Sequence, residues 1–462
     1  MESRNIPGGE GLPPGPVSAA ADGPWLERRF LLKARGTTAR TEILAGVTTF
    51  LTMAYIVLVN PAILGQAGMP VAAVAAATCL AAGFASILMG FVSNTPLALA
   101  PGMGLNAYFS FTVVQQMGVP WPIGLACVLI SGIVFLLLTF VGLRQLILAT
   151  IPAHLLAATA GGIGLFIGFI GLRNAGIIVS NPATSVALGD LRQAGPGLAL
   201  LGLLIIAGLS AWNVRGAVLT GIVATTLFGW LFGIVKFAPE PYDLGAIRDT
   251  AFKLDIAGAF GLSGTHGLGL FEILFVFLFV DLFDNIGTLV AVTKRAGLIG
   301  PDGRIVGLNR ILTTDAIATI FGAFVGTTTV TSYVESAAGV QAGGRTGLTA
   351  VVTGVLFLAT MFVAPYAQLI PLAATAPALI LVGGLMMAPL AEIAWDDPMD
   401  AIPAFLTVAM IPLTFSIANG LAFGITAYAA LKIARGKASR RDLVLLILAS
   451  LFVIRFIYLS AG

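Results

Sequence analysis

Two short polar stretches lie inside segments that are otherwise apolar enough for a lipid bilayer. The first, within residues 279–289, carries Asp281, Asp284, Asn285 and Thr288. These four positions are spaced i, i+3, i+4 and i+7, so they form one polar stripe along a helix. A carboxylate at membrane depth is costly and usually marks a substrate or ion pathway. The stripe therefore predicts a functional site, although packing against another polar helix would also account for it.

The second polar stretch is rich in Gly and Thr, covers residues 326–344 and has Glu335 at its centre. Its β-branched run followed by small residues predicts a short extended piece that leads into a half-helix. The N–H groups at the start of a half-helix are unpaired, and a carboxylate there can accept hydrogen bonds from a heterocycle. Stabilisation of a helix dipole, at most about 1 kcal/mol on a surface, would not explain this depth. Glu335 and the adjacent Ser336 are predicted to contact substrate.

A third stretch, residues 94–105, contains two prolines and two glycines, one of them Gly102, that interrupt a helical pattern. Such a sequence cannot form a continuous helix, and non-helical backbone at membrane depth occurs only where it is buried or lines a cavity. Asn106 follows on the matching half-helix, and its amide offers both a donor and an acceptor to a heterocycle edge. Gly102 and Asn106 are therefore predicted substrate contacts, with a structural role for the Asn as the alternative.

Asp315 is a further intramembrane carboxylate. It lies in a different apolar segment from the stripe and from Glu335. A supporting hydrogen bond is the more natural role for it than direct contact. We predict a role in proton coupling or support for Asp281, Asn285 and Asp315. We predict that Asp284 binds substrate together with Glu335.

The composition indicates which elements must position these residues. The chain has 462 residues, of which 58% are hydrophobic and 10% are charged, whereas about a quarter are charged in a soluble domain. Apolar stretches of spanning length recur along it, so we predict an all-α polytopic membrane protein with the lipid bilayer as a partner. The fourteen predicted spans lie near residues 42–60, 72–92, 94–112, 122–141, 152–171, 196–211, 216–235, 270–292, 306–323, 326–344, 347–366, 374–391, 401–418 and 420–435.

The breaks at Gly102 and before Glu335 fall in the third and tenth predicted spans. The two spans are seven apart. With an odd number of spans in each repeat, the second repeat inserts upside down relative to the first, which predicts 7+7 inverted repeats. The predicted regions are a cytoplasmic polar and basic tail, a first repeat, an extracytoplasmic loop, a second repeat, and a basic linker with a C-terminal apolar segment. Their boundaries are 1–40, 41–235, 236–269, 270–435 and 436–462.

The distribution of Lys and Arg orients the chain. With a cytoplasmic N-terminus, most of the basic residues fall on the cytoplasmic side, which agrees with the positive-inside rule and an even number of spans. Both termini are then predicted to be cytoplasmic, in a plasma (inner) membrane. Residues 442–460 are apolar enough for a fifteenth span, but the basic run before them and Arg455 also fit a helix in the membrane interface. The interfacial alternative is favoured.

Several function classes lack their motifs. There is no G-x-x-x-x-G-K-[ST], G-x-S-x-G or H-E-x-x-H stretch, so ATP hydrolysis and intramembrane hydrolysis are not expected. Neither His154 nor His266 has a ligand neighbour at metal spacing, and both cysteines lie in apolar segments. We therefore predict no enzyme, no cofactor, no metal and no nucleic-acid partner.

Four segments resemble the adenine–guanine–hypoxanthine permeases, the AzgA-like branch of the nucleobase–ascorbate transporter superfamily. They are residues 41–56 (TEILAGVTTFLTMAYI), 100–109 (APGMGLNAYF), 279–289 (FVDLFDNIGTL) and 331–336 (TSYVES), within a match from about 37 to 435. The resemblance implies fourteen spans with a core and a gate domain, and purine uptake coupled to protons. It also implies roles for the acidic residues of spans eight, nine and ten and for the Asn of span three, here Asp284, Asp315, Glu335 and Asn106. The wider superfamily's xanthine and uracil carriers typically have Glu where this chain has Asp284.

The sequence thus predicts a proton-coupled symporter that imports purine bases by alternating access. A uracil, xanthine or small-anion carrier on the same scaffold is the alternative, and a channel is a weaker one. Neither the preferred purine, nor proton against sodium coupling, nor the oligomeric state follows from the residues; a homodimer is one option.

Overall fold

The computed structural model describes residues 25–142, 152–235, 244–265, 269–299, 305–437 and 442–459. The helices of the first half are α1 (Trp25–Phe30), α2 (Ala39–Met53), α3 (Ile56–Gly65), α4 (Val71–Ser93), α5 (Met103–Ala107), α6 (Trp121–Val141), α7 (Ala153–Asn174), α8 (Ala194–Ala211) and α9 (Ala217–Leu231). Its strands are β1 (Leu99–Pro101), β2 (Ile178–Asn181) and β3 (Ser185–Leu188), and a π-helix at Tyr108–Gln116 continues α5.

The second half continues the same pattern. Its elements are α10 (Ile256–Thr265), α11 (Gly269–Arg295), α12 (Leu308–Val325), β4 (Val330–Ser332), α13 (Ser336–Gln341), α14 (Gly347–Thr360), α15 (Leu372–Leu385), α16 (Pro398–Leu413), α17 (Ile417–Ala434) and α18 (Leu443–Leu459). Each of the fourteen predicted spans corresponds to one of these helices, to the α2–α3 pair, or to a strand followed by a half-helix. By length and composition, eight helical segments of the described residues could cross a membrane, and four shorter helices are apolar as well.

The packing of the helices follows the predicted inverted repeat. Spans two and eleven (α4 and α14) pack together, and so do spans nine and four (α12 and α6). The second pair is the symmetry equivalent of the first, because span nine corresponds to span two and span four to span eleven. Spans five and twelve (α7 and α15) meet each other across the pseudo-symmetry. Two groups result. The core group comprises α2–α6, α11–α14, β1 and β4, and the gate group comprises α7–α9 and α15–α17.

Small residues allow the backbones of the core group to approach closely. A Cβ added to Gly90 of α4 would lie 2.3 Å from the carbonyl oxygen of Gly347 in α14, and one on Gly347 would lie 2.1 Å from that of Gly90. Gly83, seven residues earlier on α4, and Gly354, seven residues later on α14, repeat the contact. Close approach of this kind is how membrane helices associate without a hydrophobic drive between them.

A buried carboxylate, Glu42, fixes the turn between the tenth and eleventh spans. It is fully buried and accepts hydrogen bonds from the backbone N–H of Arg345 (2.8 Å), the backbone N–H of Thr346 (3.3 Å) and the hydroxyl of Thr349 (2.5 Å). These N–H groups belong to the start of α14 and would otherwise be unpaired. Glu42 therefore has a structural partner set, and it was not singled out from the sequence.

Part of the predicted extracytoplasmic loop is packed on the core group. The backbone N–H of Phe252 donates to the carbonyl of Phe324 (2.8 Å), and that of Asp255 donates to the carbonyl of Pro122 (3.1 Å). The described part of the loop thus lies over the ends of α12 and α6. A β2–β3 hairpin between α7 and α8 is a second small sheet that the sequence did not predict.

The described side chains of the C-terminal helix α18 bear on the choice between an interfacial helix and a fifteenth span. An interfacial helix needs a polar face, but the exposed large side chains of α18 are apolar and recur at Leu443, Ile447, Leu451, Ile454 and Ile457. The opposite face, which includes Leu445 and Phe452, is buried on the protein. Large apolar side chains on both of its described faces favour a place for the helix in the hydrocarbon.

Contacts along α18 show that it runs antiparallel to α17. Asp442, just before α18, pairs with Lys432 near the end of α17 (2.5 Å), and Phe456 contacts Phe423 near its start (5.1 Å between ring centroids). At about 1.5 Å per residue, the helix covers roughly 25 Å of membrane depth. These contacts favour a fifteenth span over the interfacial helix. The side chain of Arg455 lies outside the described residues.

We therefore expect the two ends of α18 to lie on opposite sides of the membrane, contrary to the prediction of two cytoplasmic termini. A cysteine appended after Gly462 and, separately, Lys437→Cys should react with an impermeant maleimide from opposite sides. The native Cys79 and Cys127 are both buried and contribute little background. A Cys79→Ala/Cys127→Ala chain is the control. Labelling of both introduced cysteines from the same side would contradict a membrane-spanning α18.

Candidate functional site

The predicted breaks in the third and tenth spans form one antiparallel strand crossing. β1 pairs with β4 in the register Leu99↔Ser332, Ala100↔Thr331 and Pro101↔Val330, and all six residues are buried. The N–H of Gly102 extends the ladder to the carbonyl of Thr329 (2.9 Å). Backbone polar groups at membrane depth must find partners inside the protein, and each strand supplies them to the other. The two predicted extended pieces are thereby confirmed and brought together.

Each strand leads directly into a half-helix. α5 begins one residue after Gly102, and α13 begins one residue after Glu335. A Cβ added to Gly102 would lie 3.0 Å from the Cγ2 of Thr331 on the facing strand, so a larger residue would push the strands apart. Gly102 is therefore placed at the crossing, where its small size is required for close approach.

Glu335 lies at the point where the crossing becomes α13, as predicted, and it is half-buried. Its Oε1 accepts a hydrogen bond of 2.7 Å from the hydroxyl of Tyr55. Tyr55 is 1% exposed and stands at the interruption between α2 and α3 in the first span. The sequence did not single out Tyr55, because neither Gly nor Pro marks that interruption; its place in the 41–56 motif was the only available signal.

Ser336 is fully buried and lies against the first strand. Its Oγ accepts a hydrogen bond from the backbone N–H of Ala98 (3.0 Å), next to the N–H of Tyr333 donating to the carbonyl of Ala98 (3.0 Å). The hydroxyl of Tyr333 donates in turn to the carbonyl of Pro101 (2.5 Å). The structure thus gives Ser336 a clear function in holding the crossing together.

Asn106 is fully buried in a network of polar side chains. Its Nδ2 donates to the Oδ1 of Asn60, and its Oδ1 accepts from the hydroxyl of Thr328. The amide of Asn60 donates to the hydroxyls of Thr78 (2.8 Å) and Thr327 (3.1 Å). The network joins α3, α4 and α5 to the residues before β4. Both ends of the Asn106 amide have protein partners, which favours the structural alternative over direct substrate contact.

The polar stripe of the eighth span lies on α11. Asp281 is 3% exposed and Asn285 is fully buried. Neither atom of the Asn285 amide has a hydrogen-bond partner among the described residues. Asp284 is part of the helix, but its side chain lies outside the described residues. A buried amide without partners is costly, so Asn285 is a position where a bound ligand could supply the missing hydrogen bonds.

α11 lies between the crossing and the gate group. It contacts β4, α5 and α13 on the core side, and α7 and α17 of the gate group. Asp315 is fully buried in α12, which packs against β4. Glu335, Gly102, Ser336 and α11 therefore lie at or beside the crossing. Asn106 lies in the buried network with Asn60, and Asp315 lies within α12.

His154 is a packing residue of the gate group, as expected from its lack of ligand neighbours. Its Nδ1 lies 3.1 Å from a carboxylate oxygen of Asp400, and its ring lies 5.0 Å from that of Tyr428. His266 lies outside the described residues.

At the end of the core group opposite α1, the core and gate groups touch. The hydroxyl of Thr112 in the π-helix donates to the carbonyl of Phe415 (2.6 Å), between α16 and α17. The ring of Phe415 packs edge-on against Phe166 of α7 (5.6 Å) and lies beneath the guanidinium of Arg173 (5.7 Å). A cavity of about 320 Å³ opens beside this contact. Its lining residues are Phe111, Gln115, Gln116, Arg173, Leu413, Thr414 and Phe415.

Comparison with solved structures supports the same architecture. The transmembrane domain of a cyanobacterial bicarbonate transporter, BicA, superposes with a TM-score of 0.64, covering 83% of this chain and 97% of that one. At 16% sequence identity, this likeness concerns the fold alone. The murine anion transporter Slc26a9 in its inward-facing state has a TM-score of 0.60 with 14% identity, over 86% of this chain and 68% of that one. The 7+7 inverted-repeat fold is thereby confirmed.

Sequence comparison identifies the family. The chain is 46% identical to the adenine permease AdeP of Escherichia coli K12 over 94% of its length and 97% of that protein. It is 42% identical to the guanine/hypoxanthine permease PbuG of Bacillus subtilis, over 93% of its length and 99% of that protein. The model of the Permease family matches residues 40–423. The chain therefore belongs to the Permease family and is a multi-pass membrane transporter rather than an enzyme.

Proposed function

We propose that this permease imports purine nucleobases together with protons by alternating access. The names of its relatives, an adenine permease and a guanine/hypoxanthine permease, support the substrate class. The observation that carries the proposal is the half-buried carboxylate of Glu335, held by Tyr55 at the strand crossing. The crossing lies beside α11, which borders the gate group.

The donors and acceptors at the crossing suit a neutral heterocycle. Glu335 accepts hydrogen bonds, and its partner Tyr55 offers a hydroxyl that can donate and accept. Asn285 adds an amide with one acceptor and two donor positions. None of these three side chains carries a positive charge, and Asp281 and Asp284 add further carboxylates nearby on the chain. An anionic substrate would meet repulsion there, so the proposed substrate is an uncharged purine rather than a small anion.

Proton coupling follows from the cost of moving a carboxylate in a low-dielectric protein. An ionised group without partners is strongly disfavoured there, and protonation removes its charge. We propose that Glu335, or an aspartate of α11 or α12, takes up a proton as the base binds. Asp281, Asp284 and Asp315 are the candidates for this supporting role. The loaded site is then closer to neutral than the empty one.

Alternating access would consist of movement of the core group against the gate group. The crossing and its half-helices belong to the core group, so a base bound at Glu335 would move with it. The Thr112–Phe415 hydrogen bond joins the two groups on one side, and it must break for the site to open there.

The uptake of radiolabelled adenine, guanine and hypoxanthine tests this function in proteoliposomes with an imposed proton gradient. We expect saturable uptake of at least one of these bases, falling to the level of empty vesicles when a protonophore collapses the gradient. Unlabelled uracil and xanthine should compete weakly. Uptake that the protonophore leaves unchanged would contradict proton coupling. Uptake of none of the three bases would contradict the substrate class.

The same assay tests the site. Glu335→Ala is expected to lower kcat/KM about 100-fold, because a charge-assisted hydrogen bond to the base contributes about 2–3 kcal/mol. Tyr55→Phe keeps the Glu335 carboxylate and should lower kcat/KM roughly tenfold. Glu392→Gln, at an exposed carboxylate outside the site, is the matched control and should leave uptake unchanged. Wild-type uptake by Glu335→Ala at equal protein level would remove Glu335 from the site.

Two buried amides are expected to respond oppositely to an apolar substitution. Asn285→Leu removes an amide without protein partners among the described residues, so the melting temperature should hold or rise while the KM for the base increases about tenfold. Asn106→Leu removes the partners of the Asn60 Oδ1 and of the Thr328 hydroxyl, so it should lower the melting temperature by several degrees. Thermal unfolding in detergent and uptake kinetics measure the two effects. A lower melting temperature in Asn285→Leu with an unchanged KM would show that Asn285 is only a packing residue.

A further inference from the structure

The segment at residues 25–40 was predicted as part of a polar tail, but it is folded onto the core group. α1 is followed by a short 3₁₀ turn at Lys33–Arg35. The side chains of Phe30 and Leu32 are buried, at 1% and 2% exposure, against Leu348 of α14. The segment therefore has a fixed position over the ends of α4 and α14.

Two of its five basic residues face the protein and hold the segment in place. The guanidinium of Arg29 donates to the carbonyl of Phe91 and lies 5.2 Å from the centre of that ring. Arg35 donates to the carbonyl of Arg345 (3.4 Å). The amide of Asn94 adds a third link, since it donates to the carbonyl of Phe30 (3.0 Å).

The other three basic residues, Arg28, Lys33 and Arg40, point away from the protein. All three are exposed, and no acidic side chain in the described part of the chain pairs with them. The one carboxylate of the segment, Glu27, accepts a hydrogen bond from the backbone N–H of Lys33 (2.8 Å) and so has a local structural role. The outer face of the segment is therefore distinctly cationic.

Apolar side chains are exposed on the same segment. Trp25 is 57% exposed, Leu26 is 36% exposed and Leu31 is 41% exposed. In water, these side chains would be unfavourable beside three cations. At a membrane surface, Trp and Leu enter the boundary of the acyl chains while Arg and Lys reach the phosphates.

The surrounding surface places the segment at that boundary. Ile43 and Leu44, in the first turns of α2, are 45% and 55% exposed, and Val92 at the end of α4 is 40% exposed. These apolar residues mark where the lipid-facing surface of the core group begins, only three residues after Arg40. The exposed face of the segment therefore lies at the depth of the lipid head groups.

We propose that residues 25–40 bind the head groups of anionic phospholipids and so attach the core group to the membrane surface. The cations Arg28, Lys33 and Arg40 contact the phosphates, and Trp25, Leu26 and Leu31 enter the lipid beneath them. Arg29 and Arg35 position the segment through the protein. A cluster of basic residues beside the first span is a recognised electrostatic attachment to anionic lipid; here, the folded segment gives it a defined geometry. The proposal does not depend on the transported substrate.

Quenching of Trp25 by brominated lipids tests the proposal with the full-length protein in vesicles. The chain has five tryptophans, so the difference between wild type and Trp25→Phe isolates the signal of Trp25. We expect brominated phosphatidylglycerol, diluted into phosphatidylcholine, to quench Trp25 at a mole fraction roughly tenfold lower than brominated phosphatidylcholine does. The preference should weaken in 0.5 M salt, because exposed charges are screened.

The charge variants complete the experiment. Arg28→Gln/Lys33→Gln/Arg40→Gln should quench equally with both brominated lipids. Arg215→Gln/Lys294→Gln/Lys437→Gln removes the same charge from other exposed positions and should keep the wild-type preference. Equal quenching of wild-type Trp25 by both lipids, no quenching by either, or a preference retained in the first variant would each overturn the proposal.

Discussion

The pairing of two three-residue strands at membrane depth is the constraint on which the rest of the structure depends. A strand that crosses hydrocarbon alone would leave its N–H and C=O groups unpaired, at a cost of several kcal/mol each. β1 and β4 avoid this cost only together, because each supplies the partners of the other. The third and tenth spans must therefore meet, and the inverted repeat is what lets them meet antiparallel from opposite sides.

The other contacts of the core group preserve this meeting. Glu42 fixes the turn after α13, and the Asn60–Asn106 network ties α5 to the residues before β4. Closely packed glycines hold α4 against α14. With the crossing fixed, the half-buried Glu335 lies directly before α13, which contacts α11. Among the described residues, buried polar groups thus fall into two kinds, those with a partner in the protein and those, such as Asn285, without one.

Much of the fold followed from the sequence, because span length, Pro and Gly breaks and the period of seven are local or additive signals. The spans, the two extended pieces and the position of Glu335 before its half-helix were predicted correctly. Which buried polar residue faces which partner depends on packing between distant segments, so the sequence missed Tyr55, Asn60 and Glu42. It also assigned Asn106 to the substrate, where the structure favours a supporting network. The apolar run of α18 was readable from the sequence, but the fourteen spans implied by the family resemblance favoured the interfacial alternative.

The most direct measurement of the central claim is a structure with a purine bound. We expect density for the base beside the strand crossing, with a ring nitrogen within about 3 Å of the Glu335 carboxylate and an edge towards Asn285 of α11. The base should lie between the core and gate groups. A base bound only in the cavity beside Thr112 and Phe415, with the Tyr55–Glu335 hydrogen bond unchanged and no density at the crossing, would contradict the account.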